Sequence, residues 1–269
     1  MAAFAARSLS GIPEVRAGDD LAALIAGALH AERPPQPLRD GAIVAIAHKV
    51  VSKAEGAVVA LAEVVPSTQA HELAGQVGAA LTGGPKQTAP GPGKDPRAVQ
   101  VVLDQSRELL RAERGVLICR TRHGFVCANA GVDASNTADG TVVVLPADPD
   151  ASARRLRARL HELAGARVGV LITDSFGRAW RHGQCDVAIG CAGLTPLEDW
   201  RGRADAAGHE LRATWLAVAD AIAAAADLTR AKDSREPVVV VGGLERFVTA
   251  QDGPGAAALV RPLNEDLFG

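Results

Sequence analysis

Between Gly18 and Glu32 the apolar residues Leu21, Leu24, Ile25 and Leu29 recur at intervals of three and four. Behind Asp19 and Asp20 as acidic N-terminal caps, that spacing predicts an amphipathic helix, which Pro34, Pro35 and Pro37 bring to an end. The run Gly41–Val51, rich in Ala, Ile and Val, predicts a buried strand that passes into a loop at Ser52–Gly56. Helices are expected at about 67–80 and 96–112. Gly115–Thr121, Phe125–Ala130 and Thr141–Leu145 predict short strands, separated by His123-Gly124 and by the segment Gly131–Gly140. Asp148-Pro149-Asp150 caps a helix to about Leu163, with proline at its first position and Arg154, Arg155, Arg157 and Arg159 spread round a solvated face. A continuous apolar strand, Arg167–Thr173, stops at Asp174, and Asp186–Ala192 predicts another. The last third predicts an Ala-rich helix at about 210–228 and a Val-rich strand at 237–242. Helices and strands mix without strict alternation, so the fold class is α+β rather than a doubly wound sheet. No repeat or linker divides the chain, which reads as one domain over residues 1–269.

Composition narrows this picture. The 269 residues include 53 alanines, 24 arginines against 5 lysines, and no tyrosine, so the core must be built from Ala, Val, Leu and Ile. A formal net charge of −2 argues against broad nucleic-acid binding, which needs a basic face to displace counterions. No window reaches 18 uninterrupted apolar residues and no basic segment precedes an apolar one at the N-terminus, so neither a membrane span nor a secretory signal is expected. With 4 cysteines and no disulfide-type framework, a reducing cytoplasmic setting is the expectation.

Candidate chemistry lies where polar, charged and glycine residues follow apolar runs. Lys49 and Lys53, in the segment Lys49–Gly56, suit phosphate oxygens as point charges; the alternative is a surface turn with two snorkelling lysines. Asn129, Asp133 and Asn136 offer hard oxygen donors around Gly131 of the kind Mg²⁺ or Mn²⁺ requires, or else form a simple Asx-type turn. Thr173-Asp174-Ser175 puts a carboxylate and a hydroxyl directly after a buried strand. Together a lysine loop and two acidic strand ends describe a metal–nucleotide site. The glycine-rich stretch Gly83–Lys94 is no Walker loop, since that pattern needs Gly at Thr88 and Ser or Thr at Asp95. Cys119, His123 and Cys127 offer soft ligands to zinc, but their spacing is not that of a zinc knuckle, and thiols on a β-hairpin is the plainer reading.

These segments carry a resemblance. Val51-Ser52-Lys53-Ala54-Glu55-Gly56, Val126–Asn136, Ile172-Thr173-Asp174-Ser175-Phe176-Gly177-Arg178, Val187-Ala188-Ile189-Gly190 and Asp199–Asp205 are similar, in order, to the signature blocks of the coenzyme F420-0:L-glutamate ligase (F420 gamma-glutamyl ligase) family, over roughly residues 11–243. The resemblance implies a mixed-sheet α+β gamma-glutamyl ligase fold, distinct from P-loop, Rossmann and ATP-grasp proteins, as a homodimer. It also implies a stand-alone ligase without the nitroreductase-like C-terminal domain of some relatives. The activity it implies is addition of L-glutamate to coenzyme F420-0, and of further gamma-linked glutamates, with GTP as cosubstrate. The substrate carboxylate is phosphorylated, the glutamate amine attacks the acyl phosphate, and GDP and phosphate leave. Two Mg²⁺ or Mn²⁺ ions per site are implied, with K⁺ as a further ion.

Carried over residue by residue, the resemblance makes Lys53, Asp133 and Asp174 catalytic. Ile12, Pro13, Glu14, Val15, His48, Lys49, Lys53, Asn136 and Lys232 would contact GTP, and Asp133, Asp174 and Ser175 would hold metal. The sequence departs from the pattern at His48, where a small hydroxyl residue is common, and at Lys232, where some relatives place an acidic residue for the second metal, so that this metal is held less tightly or Asp233 substitutes. Two other readings use the same residues: a non-catalytic nucleotide- or deazaflavin-binding homologue, and a metal-dependent phosphate-ester hydrolase.

Overall fold

The strand β2 (Ile43–Ala47) runs parallel to β8 (Gly169–Arg178), and this pairing organises the chain. The structure, a computed structural model, describes residues 3–80, 94–231 and 233–266. The main sheet has five strands in the order β1 (Ala5–Leu9), β12 (Val238–Gly242), β2, β8 and β9 (Arg181–Ala192), with every pairing antiparallel except β2 with β8.

Alternation along the strands sorts the core. Val44, Ile46, Val170, Ile172 and Val238 face α1 (Leu21–Ala31) and α5 (Pro149–Ala164). Ile43, Ala45, Leu171, Val239 and Val241 face α6 (Val218–Asp227). Alanines dominate that last contact, so helix and sheet approach closely without large side chains. Asp20 caps α1 by accepting from Ala23 N, and Asp148 caps α5 by accepting from Ala151 N, with Pro149 opening the helix.

A second cluster forms a lobe beside this sheet. There α3 (Thr68–Ala80) and α4 (Pro96–Asp104) pack on the antiparallel strands β4 (Ser106–Glu113), β5 (Val116–Thr121) and β6 (Val126–Ala128) through Leu73, Val77, Val99, Val102, Leu117 and Cys119. The short pair β3 (Val58–Ala60) and β7 (Thr141–Val143) lies between lobe and sheet, and β10 (Glu198–Asp199) pairs with β11 (Trp215–Leu216) as a separate two-stranded sheet.

Several elements differ from expectation, each for a physical reason. The strand over Gly41–Val51 ends at Ala47, and His48–Ala54 forms the helix α2 instead of a strand end and loop. Gly56 (φ +73) closes that helix: its N–H bonds Lys53 O and the Ala57 N–H bonds Ser52 O, a Schellman cap. The expected helix at 96–112 stops at Asp104, because 106–113 pairs with β5 across a tight turn in which Arg114 and Gly115 both have positive φ. The strand expected to stop at Thr173 continues through Asp174 to Arg178, and its partner starts at Arg181 rather than Asp186, so the two make one long hairpin. The expected helix from about 210 starts only at Val218, since Trp215-Leu216 belongs to a strand. The N-terminal strand β1 is an addition, recruited by pairing with β12. Arg157 is no solvated residue either: it donates to the carbonyls of Val168, Thr249 and Ala250. The glycine-rich stretch 83–93 lies outside the described residues.

Candidate active site

Because β2 and β8 are parallel neighbours, their C-terminal ends open together, with Ala47 beside Thr173. A cleft of about 740 Å³ lies there. Ligands of open sheets commonly sit at such carboxyl ends. One wall is the N-terminal segment Ile12–Val15 with the helix α2, and the other is the β8–β9 hairpin with the segment after α6. Residues 136–138 close one side.

On α2, Lys49 and Lys53 are four apart and so share a face, which lines the cleft. Lys53 Nζ pairs with Glu14 and donates to the Asn136 carbonyl at 2.7 Å. Lys49 Nζ pairs with Asp133 Oδ2 at 2.6 Å and bonds the Ser135 hydroxyl. Asp133 also accepts from Ser135 N at 2.6 Å, so the Asx-type turn and the functional reading of this aspartate describe one arrangement. Burial pushes the Asp133 carboxyl up, but the Lys49 ammonium and the Ser135 N–H outweigh it and hold the group below its ordinary value. The turn itself is demanding. Asn129, Ala130 and Gly131 have φ of +52, +51 and +73, and a Cβ on Gly131 would stand 2.6 Å from Leu145.

His48 lines the cleft with a buried ring, its Nδ1 3.5 Å from Ser52 Oγ. Its Nε2 stands 3.3 Å from Asp174 Oδ1, an ion-pair distance, yet makes no hydrogen bond. Asp174 Oδ1 also accepts from Ser175 N at 2.8 Å.

The floor of the cleft holds residues that sequence reasoning passes over. Asp186, only 3% exposed, accepts from Ser175 Oγ at 2.7 Å on one oxygen and from Thr173 Oγ1 at 2.7 Å on the other, and pairs with Arg230. Arg230 also donates to Thr173 Oγ1 and to the Pro237 carbonyl. The signal is the hairpin register, which sets Ser175 directly opposite Asp186, and it is visible only once β9 is extended back to Arg181. Asp227, Arg235 and Glu236 line the same cleft.

Ile12, Pro13, Glu14, Val15, His48, Lys49, Lys53, Asn136, Asp174 and Ser175 all line it, and Lys49 ties Asp133 to it. Lys232 lies outside the described residues. Asp233 is exposed; the carboxylates on that side that line the cleft are Asp227 and Glu236.

Cys119 and Cys127 are cross-strand neighbours and buried, while His123 turns away to the Pro146 and Ala147 carbonyls. Burial and the nearby Asp174 charge push the Cys127 thiol up to about 12, so it is protonated at neutral pH and no nucleophile. The donors at the cleft are instead carboxylate and hydroxyl oxygens. Among the described residues no three His, Cys, Asp or Glu side chains gather into a metal cluster. A hard cation such as Mg²⁺ is commonly held by one or two carboxylates together with substrate phosphates, and the oxygens of Asp174 and Ser175 at the cleft fit that kind of site.

Comparison with known proteins places this geometry in a family. The F420-0:gamma-glutamyl ligase family profile matches residues 11–243. A coenzyme F420:L-glutamate ligase of Methanopyrus kandleri is 44% identical over 257 residues, covering 95% of this chain and 93% of the relative. Proteins of the same description from Methanothermobacter thermautotrophicus and Halobacterium salinarum are 41% and 43% identical, covering 97% and 94% of this chain and 96% and 94% of their own lengths. The chain belongs to the F420-0:gamma-glutamyl ligase family.

Proposed function

We propose that this protein is a GTP- and divalent-metal-dependent ligase that adds L-glutamate to coenzyme F420-0 and extends the product through gamma links. The observation that carries the reading is the convergence, in one cleft, of two lysines on a helix face with the oxygens of Asp174 and Ser175. That combination suits phosphoryl transfer, in which positioning and charge neutralisation matter more than a protein nucleophile. Membership of a family whose relatives are named for glutamate ligation supports the choice of substrates.

In this reading the terminal phosphate of GTP lies between Lys49 and Lys53, with Ile12–Val15, His48, Asn136 and Lys232 around the rest of the nucleotide. Asp133, Asp174 and Ser175 hold Mg²⁺ or Mn²⁺, two ions per site, with K⁺ as a further ion. When bound, the metal neutralises charge on the transferred phosphoryl group. The lysines stabilise the same charge and orient the phosphate towards the substrate carboxylate. The substrate carboxylate takes the phosphoryl group and GDP leaves; the glutamate amine then attacks the acyl phosphate, and the amide forms with loss of phosphate and of the amine proton. The working form is a homodimer, which light scattering reads directly.

The deciding experiment incubates the protein with F420-0, L-glutamate, GTP and Mn²⁺ and follows product mass. A gain of one glutamyl residue with GDP release is the expected result. GTP loss without ligation turns the reading to a hydrolase, and binding without turnover to a non-catalytic homologue.

A further inference from the structure

Ser175 and Asp186 face each other across the β8–β9 hairpin at the cleft floor. A hydroxyl has one proton, and here it goes to Asp186 Oδ1 at 2.7 Å. Carboxylates accept only, so nothing on the Asp186 side lets this bond reverse. The other carboxylate oxygen is held by Thr173 Oγ1 at 2.7 Å and by Arg230, which itself is anchored on the Pro237 carbonyl. The carboxylate is therefore fixed by two residues of the facing strand and from the segment after α6.

We propose that Asp186 is a positioning residue: by taking the Ser175 proton it turns the oxygen's lone pairs to the cleft as a cation ligand. The inference rests on the reading of the cleft as a divalent-cation site. The Arg230 guanidinium sets the direction of the whole relay, because it demands an acceptor on its side of residue 186. Asp186 has an oxygen to spare for Ser175; an asparagine does not. In Asp186→Asn the single oxygen stays with Arg230 and Thr173, and the amide N–H₂ faces Ser175. The serine then accepts from residue 186 and points its own proton into the cleft, against a cation.

Mn²⁺ alone, without nucleotide, is the probe, with binding followed by electron paramagnetic resonance and folding checked by circular dichroism in the same samples. Asp186→Asn should weaken Mn²⁺ binding about 10- to 100-fold, the range found when partners of metal ligands are removed. In a Ser175→Ala background the same change should have no further effect, whereas a merely structural role would lower affinity equally in both. Asp186→Asn/Arg230→Met should recover affinity, because without the guanidinium the asparagine can turn its oxygen to Ser175. If Asp186→Asn alone fails to fold, the double variant is compared with Asp186→Leu/Arg230→Met, which has no acceptor and should bind weakly. Unchanged affinity in Asp186→Asn, an equal loss in the Ser175→Ala background, no recovery in Asp186→Asn/Arg230→Met, or equal affinities in the two double variants overturns the inference alone. Wild-type protein that binds no Mn²⁺ overturns the cation reading itself, and this inference with it.

Discussion

The two walls of the cleft pair charges in opposite ways. At the hairpin wall the side chains of Asp186 and Arg230 are 4% and 9% exposed, and every oxygen of the carboxylate is engaged by a short or β-branched side chain or by the anchored guanidinium. On the helix wall the cations are flexible lysines and their carboxylate partners are more open: Lys53 pairs with Glu14, whose side chain is 73% exposed, and Lys49 with Asp133, whose side chain is 37% exposed. The first wall fixes atoms in place and the second supplies charge that can follow a ligand. Lysine's flexible stem suits that second task, as the rigid guanidinium fork suits the first.

The largest effect should come from Asp174, the hairpin residue that faces His48 of the helix wall. Asp174→Asn keeps the shape of the side chain and removes the charge, and we expect ligation to fall by about 10³-fold or more while folding is retained, since stabilising the charge of the transition state usually contributes most of the rate enhancement at such sites. Product mass and circular dichroism on the same variant check both halves. An unchanged rate would remove Asp174 from the metal site.

Cutting one cation from each wall tests the comparison itself. Arg230→Met leaves the Asp186 charge buried without its partner, and breaking a buried pair in this way costs about 3–5 kcal/mol, which denaturant unfolding should read as a large drop in midpoint. Lys53→Met cuts a pair whose carboxylate is solvated, so stability should change by about 1 kcal/mol or less. Its cost should appear instead as an increase of about 10-fold or more in the KM for GTP. Equal stability losses would erase the distinction between the walls.

The same contrast explains what is legible in the sequence. Lys49, Lys53, Asn136, Asp174 and Ser175 line the cleft because their segments follow apolar runs and the ends of β2 and β8 meet whatever the details of the loops, whereas Ile12–Val15 and His48, which also line it, are expected only from the family resemblance. Asp186 escapes because its partner Ser175 reads as lying past a strand end; the polar residues 174–178 hide a strand that exists only through pairing with 181–186. The helix α2 is hidden because Val50 and Val51 favour strands, although Gly56 marks a helix C-terminus. Likewise 105–113 is rich in helix formers, and pairing with β5 overrides that preference. Local signals hold where burial and caps agree with them, and fail where a cross-strand partner decides the outcome.

The turn that delivers Asp133 to the helix wall joins flexible charge to rigid backbone. Gly131→Ala must hold an L side chain at φ +73 with its Cβ against Leu145, so we expect a loss of about 2–4 kcal/mol in thermal or denaturant unfolding. A loss below about 1 kcal/mol would mean that this turn adapts, and that Asp133 is placed by Lys49 rather than by the backbone.

The smallest effect isolates Lys49. Asp133 titrates below its ordinary 3.8, because the Lys49 ammonium and the Ser135 N–H together overcome the burial that opposes ionisation. A depressed carboxylate stabilises the fold fully above its unfolded value and loses that contribution as pH falls through the folded one, so the Lys49–Asp133 pair should weaken only below about pH 4. Lys49→Met leaves burial opposed by the Ser135 N–H and hydroxyl alone, and the Asp133 midpoint should move upward in a carboxyl-carbon NMR titration. A midpoint for Asp133 that does not move would assign its position to the turn and leave Lys49 to the phosphate alone.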